Sequence, residues 1–112
     1  MAATPTDRAG PLTIDLDRDG DALTVRAKGE LDIATTAPLE KALRDAFEGD
    51  AASIVLDVAE LRFIDSMGLR TLLWAADHSR ENGSRLSIRC GSGAVHRLIE
   101  LTGIERSLPL VV

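Results

Sequence analysis

The sequence predicts an α/β fold: a mixed, mostly parallel sheet of about five strands with about three helices, only the N-terminal hairpin being antiparallel. Three observations carry that prediction. Apolar and polar residues alternate over two neighbouring stretches joined by an Asp-Gly turn. Segments with helical spacing then alternate with short apolar runs. The resulting order, ββαβαβαβ, calls for parallel pairing through right-handed crossovers.

Residues 1–10, "MAATPTDRAG", are small and polar and are expected to form a disordered tail ahead of one domain over residues 11–112. Leu12, Ile14 and Leu16 alternate with polar residues, a strand at about 11–17. "DRDGD" turns the chain at Asp19-Gly20, and Leu23, Val25 and Ala27 resume the alternation at about 22–28. In "ATTAPLEKALRDAFEG", Thr35 or Thr36 can cap a helix and Pro38 suits its first turn. Leu39, Leu43, Ala46 and Phe47 form one stripe, and Gly49 stops it. "ASIVLDV" is a short apolar run, hence a buried strand. A second helix opens after Ser66 and runs to about Asn82-Gly83. "SRLSIRC" alternates as a strand, "SGAVHRLIELTG" is a short helix ended by Gly103, and "SLPLVV" is a last strand. Pro109 puts that strand at an edge or marks its end.

A chain of 112 residues with 45% apolar and 3% aromatic content builds its core from Leu, Ile, Val and Ala. The net charge of -5, with no basic block, argues against nucleic acid or an anionic membrane as the main partner. No apolar run nears the roughly 20 residues of a membrane span, and the N-terminus has no hydrophobic signal region. Cys90 is alone, so neither an internal disulfide nor a Cys pair for zinc is available; it reads as a small core residue. A reduced, cytoplasmic setting fits these features.

Sites in open α/β sheets form beyond the carboxyl ends of parallel strands. Two such ends are "GELD", Gly29 to Asp32, and "DVAELRFIDS", Asp57 to Ser66. If their strands are adjacent and parallel, Glu30, Asp32, Asp65 and Ser66 form one acidic, hydroxyl-bearing patch. Ser66 stands where a helix begins, and free amides there favour an oxyanion. The plain alternative is an N-cap supplied by Asp65 or Ser66. At about 100° per residue, Leu69, Leu72, Leu73 and Ala76 face the core, while Met67, Arg70, Trp74, His78 and Glu81 fall on the opposite side. That puts the chain's single Trp on an outward face, as a docking residue or folded over a neighbouring helix or loop.

"GELDIATTAPL" together with "VLDVAELRFIDSMGLRTLL" resembles the STAS domain family, in particular its bacterial anti-sigma factor antagonists, and "AVHRLIELTGI" resembles that family's third helix segment. The resemblance spans about residues 12–112. It implies that Ser66 is phosphorylated by an anti-sigma factor that is also a serine kinase. The unmodified antagonist captures that factor and frees a sigma factor, and a phosphatase resets the switch. It implies partner-binding roles for Asp32, Asp65 and Gly68, with Gly68 permitting close approach of the partner; the sheet-edge placement adds Glu30, and the outward helix face adds Met67, Arg70 and Trp74. It implies no catalytic residue, cofactor or metal, and a monomer or weak dimer. A phosphate adds about -1.5 to -2 charges, which beside Asp65, Asp32 and Glu30 should repel an anionic partner edge. Met67 departs from the family, which usually has a small residue there. Many relatives also continue past the position of Val112 into another helix.

Other chemistry is weaker. His78 lies twelve residues along the same helix from Ser66, about 18 Å by helical rise, too far for a nucleophilic pair. His96 sits in another helix without a nucleophile-elbow motif. "CGSGAV" is a strand-to-helix turn that lacks a Walker lysine. The two histidines have no metal-ligand spacing. The alternatives to the antagonist are a STAS interaction or nucleotide-binding module of another signalling or lipid-transport complex, and a hydrolase.

Overall fold

The computed structural model describes residues 6–9, 11–83 and 85–111. The elements are β1 (Thr6–Ala9), β2 (Leu12–Asp19), β3 (Ala22–Leu31), α1 (Thr36–Glu48), β4 (Ser53–Asp57), β5 (Leu61–Ile64), α2 (Ser66–Glu81), β6 (Leu86–Arg89), α3 (Ala94–Thr102), a 3-10 turn (Glu105–Ser107) and β7 (Leu110–Val111). Among the described residues seven strands form one sheet, in the order β1-β2-β3-β4-β6-β7, with β5 also on β3. The β1–β2 and β2–β3 pairs are antiparallel and the rest parallel. The expected α/β class and its three helices are therefore present, with two strands more than expected.

The first addition is β1. Residues 6–9, expected in a disordered tail, pair with β2 from Thr6↔Asp15 to Ala9↔Leu12. Main-chain bonds make that pairing, so the polar composition gave no sign of it; β2 would otherwise present an open edge. Residues 1–5 and Gly10 of the expected tail lie outside the described residues. The second addition is β5, where Leu61 and Ile64 are buried but Arg62 and Phe63 between them are exposed. Four residues without a period of two give no strand signal.

The core lies on one face of the sheet. Val25, Ala27 and Leu31 of β3 point into it beside Ile54 and Leu56 of β4 and Leu86 and Ile88 of β6. Helix α1 covers them with Leu39, Leu43, Ala46 and Phe47, and α2 with Leu69, Leu72, Ala75 and Ala76. These are the stripes that helical spacing predicts, except that Ala75 is buried and Leu73 only half-buried. Helix α3 adds Val95 and Ile99. The reverse face carries cross-strand charge pairs, Lys28–Asp15 at 3.6 Å and Arg26–Asp57 at 3.3 Å. Cys90 is buried, as expected of a core residue. Among the described residues no helix is long and apolar enough to cross a membrane.

The length of β3 positions the site. Its first half, Ala22–Arg26, pairs with β4, and its last residues, Gly29–Leu31, pair with β5. The chain thus leaves β4, turns through residues 58–60 and runs beside the same strand again. The register shifts between Gly29 and Glu30. Gly29 has φ +105°, and a Cβ there would sit 2.0 Å from the Pro11 carbonyl oxygen. Only glycine fits such a bulge, which accounts for the first letter of "GELD".

Candidate functional site

The two loops singled out in the sequence meet. The Asp65 N–H donates to the Leu31 carbonyl at 3.2 Å, continuing the β3–β5 pairing by one step. The neighbour of β3 at this edge is the short β5, so the conditional placement of "GELD" beside "IDS" holds through a strand the periodicity did not reveal.

Asp65 is the N-cap of α2. Its Oδ1 accepts the Gly68 N–H at 3.0 Å, and its carbonyl accepts the Leu69 N–H at 3.0 Å. Ser66 is the first helical residue and is exposed. Its hydroxyl has no hydrogen-bond partner among the described residues. Asp65, not Ser66, therefore carries the cap. The amides that open a helix have no intrahelical partner, so the hydroxyl stands free beside the positive helix end.

Gly68 has a different role from the one expected. It is buried, and a Cβ there would lie 2.6 Å from Ile64 Cγ1 and 2.8 Å from the Leu31 carbonyl oxygen. The close approach that glycine permits here is internal, between α2 and the β3–β5 edge.

Asp32 is less solvated than its loop position suggests. Its Oδ1 accepts the Ala34 N–H at 2.9 Å and lies 3.3 Å from Thr35 Oγ1. Thr35 Oγ1 in turn accepts the Asp32 N–H at 2.9 Å and donates to the Glu30 carbonyl at 3.0 Å. Thr35 is the N-cap residue of α1, but its side chain makes no capping bond to the helix because it is committed to this turn. Glu30 forms a 3.5 Å ion pair with the exposed Arg62.

Met67, Arg70 and Trp74 line a shallow groove of about 200 Å³ between α1 and α2, completed by Thr36, Glu40 and Thr71. Trp74 is not freely exposed. It is half-buried, with the Arg44 guanidinium 4.7 Å above its ring and His78 stacked at 5.5 Å. His78 is itself 4.7 Å from Phe47. The helical angle does set Trp74 away from the sheet, but α1 packs on that side and covers part of the indole. His96 pairs with Glu100 at 3.3 Å on α3, and neither histidine bonds Ser66.

Three contributors escaped the sequence. Ile33 is 71% exposed beside Asp32. The available signal was an apolar residue stranded in a turn between strand and helix. Thr36 and Glu40 reach the groove only because α1 packs against α2, which no local pattern encodes. Outside the site, burial pushes the Cys90 thiol above its ordinary pKa, against a smaller lowering by a backbone hydrogen bond.

Comparison with known proteins gives concordant matches. The family model described as "Mlab, STAS domain" matches residues 7–112. The anti-sigma F factor antagonist of Paenibacillus polymyxa is 28% identical over 100 residues, covering 88% of this chain and 86% of that protein. A crystal structure of an anti-sigma factor antagonist from Mycobacterium paratuberculosis superposes with a TM-score of 0.77 at 25% identity, covering 88% of this chain and 84% of the other. The fold is also that of the phosphorylated form of the Bacillus cell fate determinant SpoIIAA, with a TM-score of 0.65, 18% identity and coverage of 88% and 91%.

Proposed function

The chain belongs to the STAS family, and on that premise we propose that it is an anti-sigma factor antagonist switched by phosphorylation of Ser66. The unmodified protein holds an anti-sigma factor with serine kinase activity and so frees a sigma factor; phosphorylation ends the capture, and a phosphatase restores it. The relative from Paenibacillus polymyxa carries the antagonist name, and the SpoIIAA neighbour has a phosphorylated form. No catalytic step is assigned to this chain.

The observation that carries the reading is the division of labour between Asp65 and Ser66. Asp65 makes the cap bond to Gly68, and the exposed Ser66 hydroxyl is spare. A kinase can therefore take that hydroxyl without dismantling the helix start. The docking edge is built from Ile33 and Asp32 on one loop, Ser66 on the other, and the groove of Met67, Arg70 and Trp74. Gly68 drops out of that edge, and Asp65 acts on it through the cap. A phosphate of about -1.5 to -2 charges beside the exposed N-terminal turn changes the charge of the edge more than its shape.

The test is incubation of wild type and Ser66→Ala with a purified anti-sigma factor kinase from the same organism and ATP. One phosphate on the wild type, mapped to Ser66 and absent from the variant, is the expected result. Equal labelling of both would remove Ser66 from the switch. A second reading is favoured by Met67, which replaces the family's usual small residue next to the phosphoacceptor: a STAS module that docks another signalling or lipid-transport protein with Ser66 unmodified. It predicts tight binding to that protein and no labelling.

A further inference from the structure

A second groove, on the other side of Ser66 along the chain, belongs to neither reading. It lies between β5 and α3, holds about 240 Å³, and is floored by Phe63, Ile64, Leu98 and Leu101 with Arg62 and Arg97 at its rim. Phe63 is 47% exposed and Leu101 84%. Helix α3 buries Val95 and Ile99 in the core. Leu98 is partly buried against that core, while Leu101, one turn on, is turned away from it and exposed, so α3 carries apolar surface beyond its covered side. Clustered large apolar side chains left in water on a small domain mark an interaction surface more often than chance.

The rim says what covers it. On a chain of net charge -5, this apolar patch is edged by two arginines. Arg62 is 67% exposed and shares its charge with Glu30 at 3.5 Å. Arg97 is exposed and has no ion-pair partner among the described residues. From this charge complementarity we propose that the β5–α3 groove is a second docking surface, which takes an apolar segment bearing carboxylates on a protein partner. A second copy of this acidic chain and an anionic membrane are the less favoured occupants, since each sets a broad anionic surface against the whole acidic chain, whereas a short segment meets only the arginine rim.

The groove is also coupled to the switch. Ile64 on its floor is two residues from Ser66, at most about 7 Å along the backbone, within one Debye length at physiological salt. Negative charge at Ser66 repels an acidic occupant. This coupling rests on the phosphorylation reading; the groove does not.

Nuclear magnetic resonance titration of the full chain tests both with two amphipathic helical peptides of equal length, one of Leu and Glu, the other of Leu and Lys. The Leu/Glu peptide is expected to shift the amides of residues 62–64 and 97–101 and to bind at least about tenfold tighter than the Leu/Lys peptide. Arg97→Glu should remove that preference, and Leu101→Ser should weaken binding about tenfold, both with native spectra. Ser66→Asp should weaken it about two- to threefold, less at high salt. Equal affinity for the two peptides, shifts elsewhere, or affinity unchanged in Arg97→Glu and Leu101→Ser overturns the docking proposal. So does sedimentation showing self-association of the chain that Leu101→Ser abolishes. An unaltered affinity in Ser66→Asp overturns the coupling alone.

Discussion

The Gly68 N–H donates to the Asp65 carboxylate at 3.0 Å, across the exposed Ser66. That bond closes the first turn of α2 and leaves the serine outside it. Asp65→Ala should therefore destabilise the protein by about 1 kcal/mol, and Ser66→Ala by less than about half of that. Urea unfolding of the two variants checks this. A larger loss in Ser66→Ala would mean that the hydroxyl shares the cap.

Asp32 holds its turn through its carboxylate. Asp32→Ala forfeits the bond from the Ala34 N–H and the contact with Thr35. It should cost about 1 kcal/mol of stability in addition to any loss of partner affinity. Thermal melting beside a binding titration separates the two. A melt identical to wild type would mean that the turn survives without the carboxylate.

At Gly68, propensity and packing oppose each other. Alanine in place of a helical glycine gains up to about 1 kcal/mol of propensity. The new methyl, however, meets Ile64 at 2.6 Å and the Leu31 carbonyl oxygen at 2.8 Å, and overpacking of this kind costs about 1–3 kcal/mol. One of those contacts is backbone, which cannot swing aside, so Gly68→Ala should be destabilising overall. A midpoint raised by the substitution, read by circular dichroism in urea, would contradict that packing.

Trp74 reports on the groove, because it is the chain's single Trp. Half-buried under Arg44, it should emit between the solvent-exposed and core limits and be partly quenched by iodide. Trp74→Ala should cost less than the about 3–5 kcal/mol typical of a core aromatic. Arg44→Ala should raise iodide access by uncovering the ring face. Fluorescence unchanged by Arg44→Ala would mean that the cation does not shield the indole.

Legibility in the sequence followed the range of the interactions. The stripes of α1 and α2 were readable because amphipathic spacing repeats over several turns. The hairpin was readable from alternation around Gly20. Strands β1 and β5 were not, since main-chain pairing in short or polar segments leaves no side-chain period. At the site, Asp65-Ser66 announced a helix start, but whether Asp65 or Ser66 caps depends on one hydrogen bond. The half-burial of Trp74 depends on how α1 lies against α2. Gly68 was visible as a glycine in the first turn of a helix, but only the packed Leu31 and Ile64 identify what fills the space.

Charge on Ser66 is proposed to govern capture of an anti-sigma factor. The most direct measurement is calorimetric titration of one purified anti-sigma factor with the unmodified protein and with the protein carrying a single phosphate on Ser66. Removing an anchor-sized share of binding energy, about 2 kcal/mol or more, weakens the affinity roughly thirtyfold. At least that loss is expected on phosphorylation, with the thermal midpoint of the free protein little changed. Equal affinities for the two forms would contradict it.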